Sequence, residues 1–239
     1  MAKLSELIAG IHSARVIDLS QPLEEHMPAY PTHAKYFHNL WVSQQHGGRS
    51  LHYQLVMSEH SGTHVDAPAH FVDRRKPKAH VTIENVPLTR LIGRGVHVGC
   101  RGFRAGTCVS KAYLKSWEKK HGGFQPDDIV IFDFGWAKYW ALRPKDQRYV
   151  TDWPGVGAEA AEYLLKKQVA AMGVDTLSPD PPGALASKPI HPIVLEKQTL
   201  IIENLTNLGR LPDFFLFVAL PLKIRGGSGS PVRAIALVE

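Results

Sequence analysis

Glu59-His60-Ser61-Gly62-Thr63-His64-Val65-Asp66-Ala67-Pro68-Ala69-His70-Phe71 decides the fold, because these residues either ride on a helix or leave a strand. His60 and His64 stand four apart, a spacing that would share one helical face. Gly62, the β-branched Thr63 and Val65, and Pro68 make the stretch a poor helix. It reads as a turn leaving a strand. From Ser50 to Ser58, Leu51, Tyr53, Leu55 and Met57 alternate with His52, Gln54, Val56 and Ser58, the period-two pattern of a half-buried strand. That strand would deliver Glu59 and His60 to its end, where ligands are held more firmly than on a free loop.

His60, His64, Asp66 and His70 place three imidazoles and a carboxylate within eleven residues. These are the side chains that bind Zn²⁺ or Mn²⁺ without a thiolate. A single histidine among the chain's 13 is more often a satisfied polar residue than a ligand. A cluster punctuated by Gly and Pro points to a metal instead. His70 follows a proline that turns the chain and need not be a ligand. Its near-neutral pKa suits proton transfer, with a structural or ligand-supporting imidazole as the alternative. A serine nucleophile has no support: there is no GxSxG elbow, and Ser61 would need partners better used as ligands.

Outward from this stretch the chain alternates strands and helices. Lys3 to His12 reads as a short amphipathic helix, Arg15 to Leu19 as the first strand, and Met27 to Thr32 as a proline-fixed surface loop. Val72 to Val86 is basic and turn-rich and is expected to cover one side of the site. Gly95 to Cys100 suggests a strand, and Ser110 to His121 a helix capped by Ser110 and stopped by Gly122-Gly123. Asp128 to Phe134 is a central strand, Gly157 to Gln168 a helix, Val169 to Val174 a buried strand, and Ser178 to Pro189 a loop. Thr199 to Ile202, Phe214 to Leu220 and Val232 to Val238 read as strands, with Gly226 to Ser230 as a hinge, a close backbone approach or a plain loop. The alternation implies α/β, or mixed α+β.

With 239 residues, 44% of them hydrophobic, and with no linker or internal repeat, residues 1–239 are expected to form one domain. Cys100 and Cys108 match neither a redox pair nor a thiolate zinc site and read as reduced thiols of a cytosolic protein. Met1 to Ile11 lacks the continuous apolar run of a signal peptide. The most apolar run, Phe214 to Leu222, is about half a membrane span and contains Pro221. The formal charge of +6 is dispersed, apart from Arg74-Arg75-Lys76-Pro77-Lys78 and Lys119-Lys120-His121. No nucleic-acid motif accompanies it, so a positive field favouring a small anionic or zwitterionic substrate is the surviving meaning.

HSGTHVDAPAHF resembles the signature of the metal-dependent cyclase/hydrolase family that includes bacterial-type kynurenine formamidases (arylformamidases) and isatin hydrolases. Ile17 to Leu23, Gly173 to Thr176, His191 with Glu203, Leu220 to Lys223 and Ser230 to Ala234 resemble further blocks in the same order. The resemblance implies a swivelling β/β/α architecture with a mixed sheet core, usually a homodimer. It also pairs His191 and Glu203 with the first cluster as ligands. Taken alone, Glu203 reads as a surface carboxylate, and a twelve-residue separation needs a chain that doubles back. The resemblance assigns the catalytic role to His70 and sets Tyr30-Pro31-Thr32 where the family carries a Trp, Pro and Gly over the substrate pocket, which makes Tyr30 the substrate-binding candidate.

One or two divalent ions, Zn²⁺ or Mn²⁺, held by His60, His64, Asp66, His191 and Glu203, would lower the pKa of a water enough to attack a carbonyl at neutral pH. The expected substrate is a small aromatic amide, N-formylkynurenine first and isatin or a related cyclic amide or lactone next. A metal-stabilised binding protein without catalysis is the competing reading, although structural zinc sites are closed by four protein ligands.

Overall fold

The apolar run Ile129–Asp133 lies in the middle of the molecule with every residue buried, as a strand covered on both faces requires. The computed structural model describes residues 2–183 and 188–239. In chain order the elements are α1 (Ala2–Ser13), β1 (Arg15–Asp18), β2 (Phe37–Val42), β3 (His52–Val56), β4 (His64–Asp66), β5 (Ile92–Gly99), β6 (Cys108–Val109), α2 (Lys111–His121), β7 (Ile129–Asp133), α3 (Gln147–Thr151), β8 (Gly155–Val156), α4 (Ala158–Lys166), β9 (Ala171–Val174), α5 (Ile190–Leu195), β10 (Leu200–Glu203), β11 (Phe214–Val218), β12 (Gly229–Pro231) and β13 (Ile235–Val238).

Nine strands form one mixed sheet in the order β1-β13-β11-β5-β7-β9-β10-β4-β12, curled into a half-barrel. Its middle four strands, β5, β7, β9 and β10, run parallel, and antiparallel strands complete both sides. Alternation along the buried strands splits the core in two. On one face Val130, Phe132, Met172 and Ile201 pack against Leu114 and Trp117 of α2, Leu164 of α4 and Val194 of α5. On the other, Ile129, Ile131 and Ile202 meet Ile17, Leu19, Val65 and Phe217. The α2 helix starts as its sequence implies, with the Ser110 hydroxyl accepting from the Tyr113 N–H at 3.2 Å. Both cysteines are free.

The mixed α/β class of the sequence reading holds, and two local expectations are corrected. The alternating segment 50–58 is not a half-buried strand feeding the site. β3 pairs only with β2, an element the sequence reading did not identify, in a separate two-strand sheet, and all five of its residues are exposed. Alternation reports that a strand forms, and says nothing about which face finds a cover. The turn at 60–63 does not end a strand but opens one: His64 and Asp66 belong to β4, which is buried within the main sheet. Of the readings of Gly226 to Ser230, the close backbone approach holds: Gly229–Pro231 pairs with β4, and a Cβ on Gly229 would meet the Val65 carbonyl at 2.8 Å. Of the expected loop 178–189, residues 184–187 lie outside the described residues. Among the described residues, no helix is long and apolar enough to cross a membrane.

Candidate metal centre and its cavity

β4 and β10 run antiparallel with His64 opposite Glu203, and Asp66 two residues from His64 on the same strand face. Sheet register alone therefore turns three polar side chains toward one point. Gly62, at φ +59°, makes the turn that brings His60 back beside them, and a Cβ there would meet Leu23 Cδ2 at 2.6 Å. After β9 the chain passes through the Ser-Pro-Asp loop into α5, which packs on β10 and supplies His191. This is the doubling back that the twelve-residue separation required.

The structure brings His60, His64, Asp66, His191 and Glu203 together, all buried. His64 Nε2 lies 3.4 Å from Asp66 Oδ1 and 3.3 Å from Glu203 Oε2. His191 Nε2 lies 3.3 Å from Asp66 Oδ2 and 3.2 Å from Glu203 Oε1. His60 Nδ1 stands 2.7 Å from Asp66 Oδ1.

Each imidazole is oriented from behind. His64 Nδ1–H donates to the Gly62 carbonyl at 2.9 Å, and that carbonyl also receives the Asn204 amide at 2.9 Å. The Asn204 Oδ1 in turn accepts from the buried Tyr149 hydroxyl at 2.8 Å. His191 Nδ1–H donates to Asp180 Oδ2 at 2.5 Å. His60 Nε2 meets Ser228 Oγ at 2.9 Å, and the Ser228 hydroxyl donates to Glu59 Oε2 at 2.7 Å. Since a carboxylate can only accept, the serine lone pair faces His60 and the proton sits on Nε2. The inward nitrogens Nδ1 of His60 and Nε2 of His64 and His191 are thereby left aimed at two carboxylates, and such support from behind is the usual setting of metal-bound imidazoles.

Electrostatics give the same result. Burial disfavours the charged form of His64, yet contacts with Asp66 and Glu203 outweigh it and push its pKa to about 10. His191 is likewise raised well above its usual value against burial, with Asp180 first among the causes and Asp66 and Glu203 after it. Burial works to raise Asp66, but His191, His60 and His64 hold it well below the carboxylate range. Protons here stand where a cation would. Asp66 Oδ2, buried and without a hydrogen-bond donor, marks the same gap, so the residues fit a divalent ion.

His70 stacks on His60 with centroids 3.9 Å apart, and burial lowers its pKa to about 4, which leaves the ring neutral. It opens onto a cavity of about 480 Å³ with His191 and Glu203 in its floor and Tyr30, Phe71, Trp153 and Pro181 in its walls. None of the 72–86 segment lines this cavity, so the expected cover on that side is corrected to Phe71 and the Tyr30 loop. Sequence reasoning missed Asp180, Ser228 and His33, because each acts through a contact distant in the chain and belongs to no periodic pattern.

The cyclase family model matches residues 17–181, well over half of the chain. The chain belongs to the cyclase family. Among its relatives, the isatin hydrolase of Roseibium aggregatum is 30% identical over 198 residues, 77% of this chain and 73% of that protein. The kynurenine formamidase of Erythrobacter litoralis is 29% identical over 223 residues, 92% of this chain and 93% of the relative. The solved isatin hydrolase A of Ralstonia solanacearum superposes with a TM-score of 0.88 at 26% identity, covering 99% of this chain and 97% of that one. Family and donor set together make this a cyclase-family metal-dependent hydrolase.

Proposed function

We propose that the chain, as one domain, hydrolyses an uncharged aryl amide or lactam. The observation that carries the reading is the convergence of three inward imidazole nitrogens and two buried carboxylates, of which His191 and Glu203 reach the floor of an aromatic-walled cavity, with neutral His70 beside them. His60, His64, Asp66, His191 and Glu203 would hold one or two divalent ions, Zn²⁺ or Mn²⁺. Such an ion polarises a carbonyl and makes water acidic enough to attack it at neutral pH. Tyr30, Phe71 and Trp153 orient the aryl ring and exclude bulk water. His70 accepts the proton of the attacking water at a ring nitrogen and returns it to the departing amine as the C–N bond breaks.

The cavity supports the opposite order of substrates to the one expected from the resemblance. Among its described lining residues there is no lysine or arginine, and Ala184 to Ser187 carry none by sequence. N-formylkynurenine brings an amino-acid head whose carboxylate would face Asp180 and Glu203 without a fixed cation. Isatin or a related cyclic amide brings no such charge. N-formylkynurenine stays as the second reading because the formamidase relatives align over nearly the whole chain. The same reading takes the molecule as a homodimer in which the β2–β3 hairpin is covered, since Trp41 there is 68% exposed.

The test is hydrolysis of isatin and N-formylkynurenine followed by absorbance, before chelation, after it, and after metal return. His64→Ala should lose metal and activity together. His70→Ala should keep metal while kcat falls by roughly 10²-fold or more. Turnover that survives complete demetallation would refute the proposal, and near-wild-type turnover of His70→Ala would remove His70 from it.

A further inference from the structure

A second cavity, of about 330 Å³, opens at the carboxyl ends of β5, β7 and β9 and shares no lining residue with the cavity over the metal cluster. Parallel sheets commonly hold ligands at this end. Two buried carboxylates line it, and both are already supplied with donors. Asp133 Oδ1 accepts the Gly135 N–H at 2.9 Å, and its Oδ2 accepts Arg101 Nε–H at 2.9 Å beside His97 Nε2 at 3.3 Å. Asp175 accepts the N–H groups of Phe134, Trp136 and Ala137. Burial and Asp133 push Asp175 up to about 7, so it adds little negative charge below neutral pH.

Arg101 is set differently from an arginine spent on an ion pair. It holds Asp133 through Nε alone, so Nη1 and Nη2, the fork that matches an oxyanion, have no hydrogen-bond partner among the described residues. Two glycines seat the side chain. A Cβ on Gly209 would overlap Arg101 Nη2, and a Cβ on Gly135 would stand 3.4 Å from its Cγ, so the guanidinium lies directly on backbone. The same cavity is lined by two more donors without a hydrogen-bond partner among the described residues: the Thr206 hydroxyl beyond β10, and the Lys138 ammonium beyond β7, which stands 4.9 Å from the Tyr139 ring centre.

We propose that this cavity binds a phosphate group, as the free ion or on a small ester, with the Arg101 fork as its anchor and Thr206 and Lys138 as further donors. Donors from three separate segments suit a tetrahedral group with three free oxygens better than a planar carboxylate with two. The site is distinct from the hydrolytic one and asks nothing of the metal.

The experiment is equilibrium dialysis of the metal-loaded protein against radiolabelled sulfate, a tetrahedral probe that coordinates Zn²⁺ and Mn²⁺ weakly, at one ionic strength. One sulfate per chain should be retained at millimolar concentration. Inorganic phosphate should displace it, and acetate at the same concentration should not. Displacement by glycerol phosphate as well would identify an ester as ligand, and its failure to displace would restrict the site to the free ion; either result sustains the phosphate site. Arg101→Gln should weaken binding at least about tenfold, the scale of one lost charge-assisted hydrogen bond. Arg101→Lys keeps the charge without the fork and should weaken it similarly. Gly209→Ala leaves the net charge alone and lifts the guanidinium from its seat, which covers the case in which Asp133 without its partner unfolds Arg101→Gln. Melting temperature is read on every variant.

Wild type that retains no sulfate overturns the proposal. So does binding left unchanged by Arg101→Lys and Gly209→Ala, which would be diffuse attraction to a positive surface. Binding that disappears on chelation and returns with the metal would place the anion on the metal cluster, and equal displacement by acetate would remove the phosphate class.

Discussion

Asp180→Asn tests whether the metal cluster depends on a carboxylate that touches no expected ligand atom facing inward. Asp180 Oδ1 accepts the Ile190 N–H at 2.6 Å, while Oδ2 accepts both the His191 N–H at 3.2 Å and the His191 Nδ1–H at 2.5 Å. Both oxygens are thus committed to donors, and the residue caps α5 as well as aiming its second side chain. Asparagine keeps one oxygen and replaces the other with a donor. If the oxygen stays on Ile190, the new NH₂ confronts two N–H groups. His191 then escapes the clash by moving its proton to Nε2, the nitrogen facing Asp66 and Glu203.

A proton on Nε2 removes the lone pair a metal needs, so metal affinity should fall by about 10- to 100-fold, or about 1.4–2.8 kcal/mol. The metal-free protein should also lose about 1–3 kcal/mol of stability through a buried donor left unpaired. Competition titration against a chromophoric chelator measures the first, and urea unfolding of the apoprotein the second. An affinity within about twofold of wild type in a folded variant would refute the reasoning, because His191 would then be oriented by packing alone.

Three further outcomes are expected. Gly229→Ala would place a Cβ 2.6 Å from His60 Cε1 and 2.8 Å from the Val65 carbonyl, so metal affinity and melting temperature should both drop, and an unaltered variant would show that β12 can retreat from β4. Metal uptake at pH 7 should release at least about one proton per chain, since the apoprotein holds His64 protonated with a pKa of about 10; calorimetry in buffers of different ionisation enthalpy would detect it, and zero release would contradict the assigned charge state. Asp175 is pushed up to about 7 by burial and by Asp133, against the pull of backbone donors at Phe134, Trp136 and Ala137. The folded state then keeps a proton that the unfolded chain releases near 3.8, so stability is greatest below that value and falls as pH rises toward 7, by up to ~4 kcal/mol. Asp175→Asn should flatten that slope in denaturant unfolding between pH 4 and pH 8, and a slope equal to wild type would assign it elsewhere.

The parts of this molecule that were legible in the sequence are those whose signal is local. Ile129–Asp133 announces itself by an unbroken apolar run, α2 by Ser110 ahead of it and glycines behind, and the His60-to-His70 stretch by residue type and spacing. What the chain order hides is pairing. His191 and Glu203 join the cluster only because α5 folds back onto β10, and residue spacing carries no trace of that step. Resemblance had to supply it. The hairpin β2–β3 misled for the opposite reason: its alternation is real, but Leu51, Tyr53 and Leu55 stay exposed among the described residues. Asp180 sits in Ser-Pro-Asp-Pro-Pro, where the prolines mark a loop and nothing marks the acid as a helix cap and imidazole anchor.

The register of β4 ties the core and the site into one constraint. Val65 is fully buried among Ile17, Leu19, Ile202 and Ala234, while its neighbours His64 and Asp66 face the opposite side. Strand side chains alternate, so a slip of one residue against β10 would drive both polar groups into that apolar cluster and turn Val65 toward the metal cluster. Pairing on both edges, with Glu203 opposite His64 on one side and Pro231 opposite His64 on the other, leaves the strand no room to slide. The apolar residue between the two expected ligands is therefore as much a determinant of the site as the ligands: it is the hydrophobic core that decides which way His64 and Asp66 point.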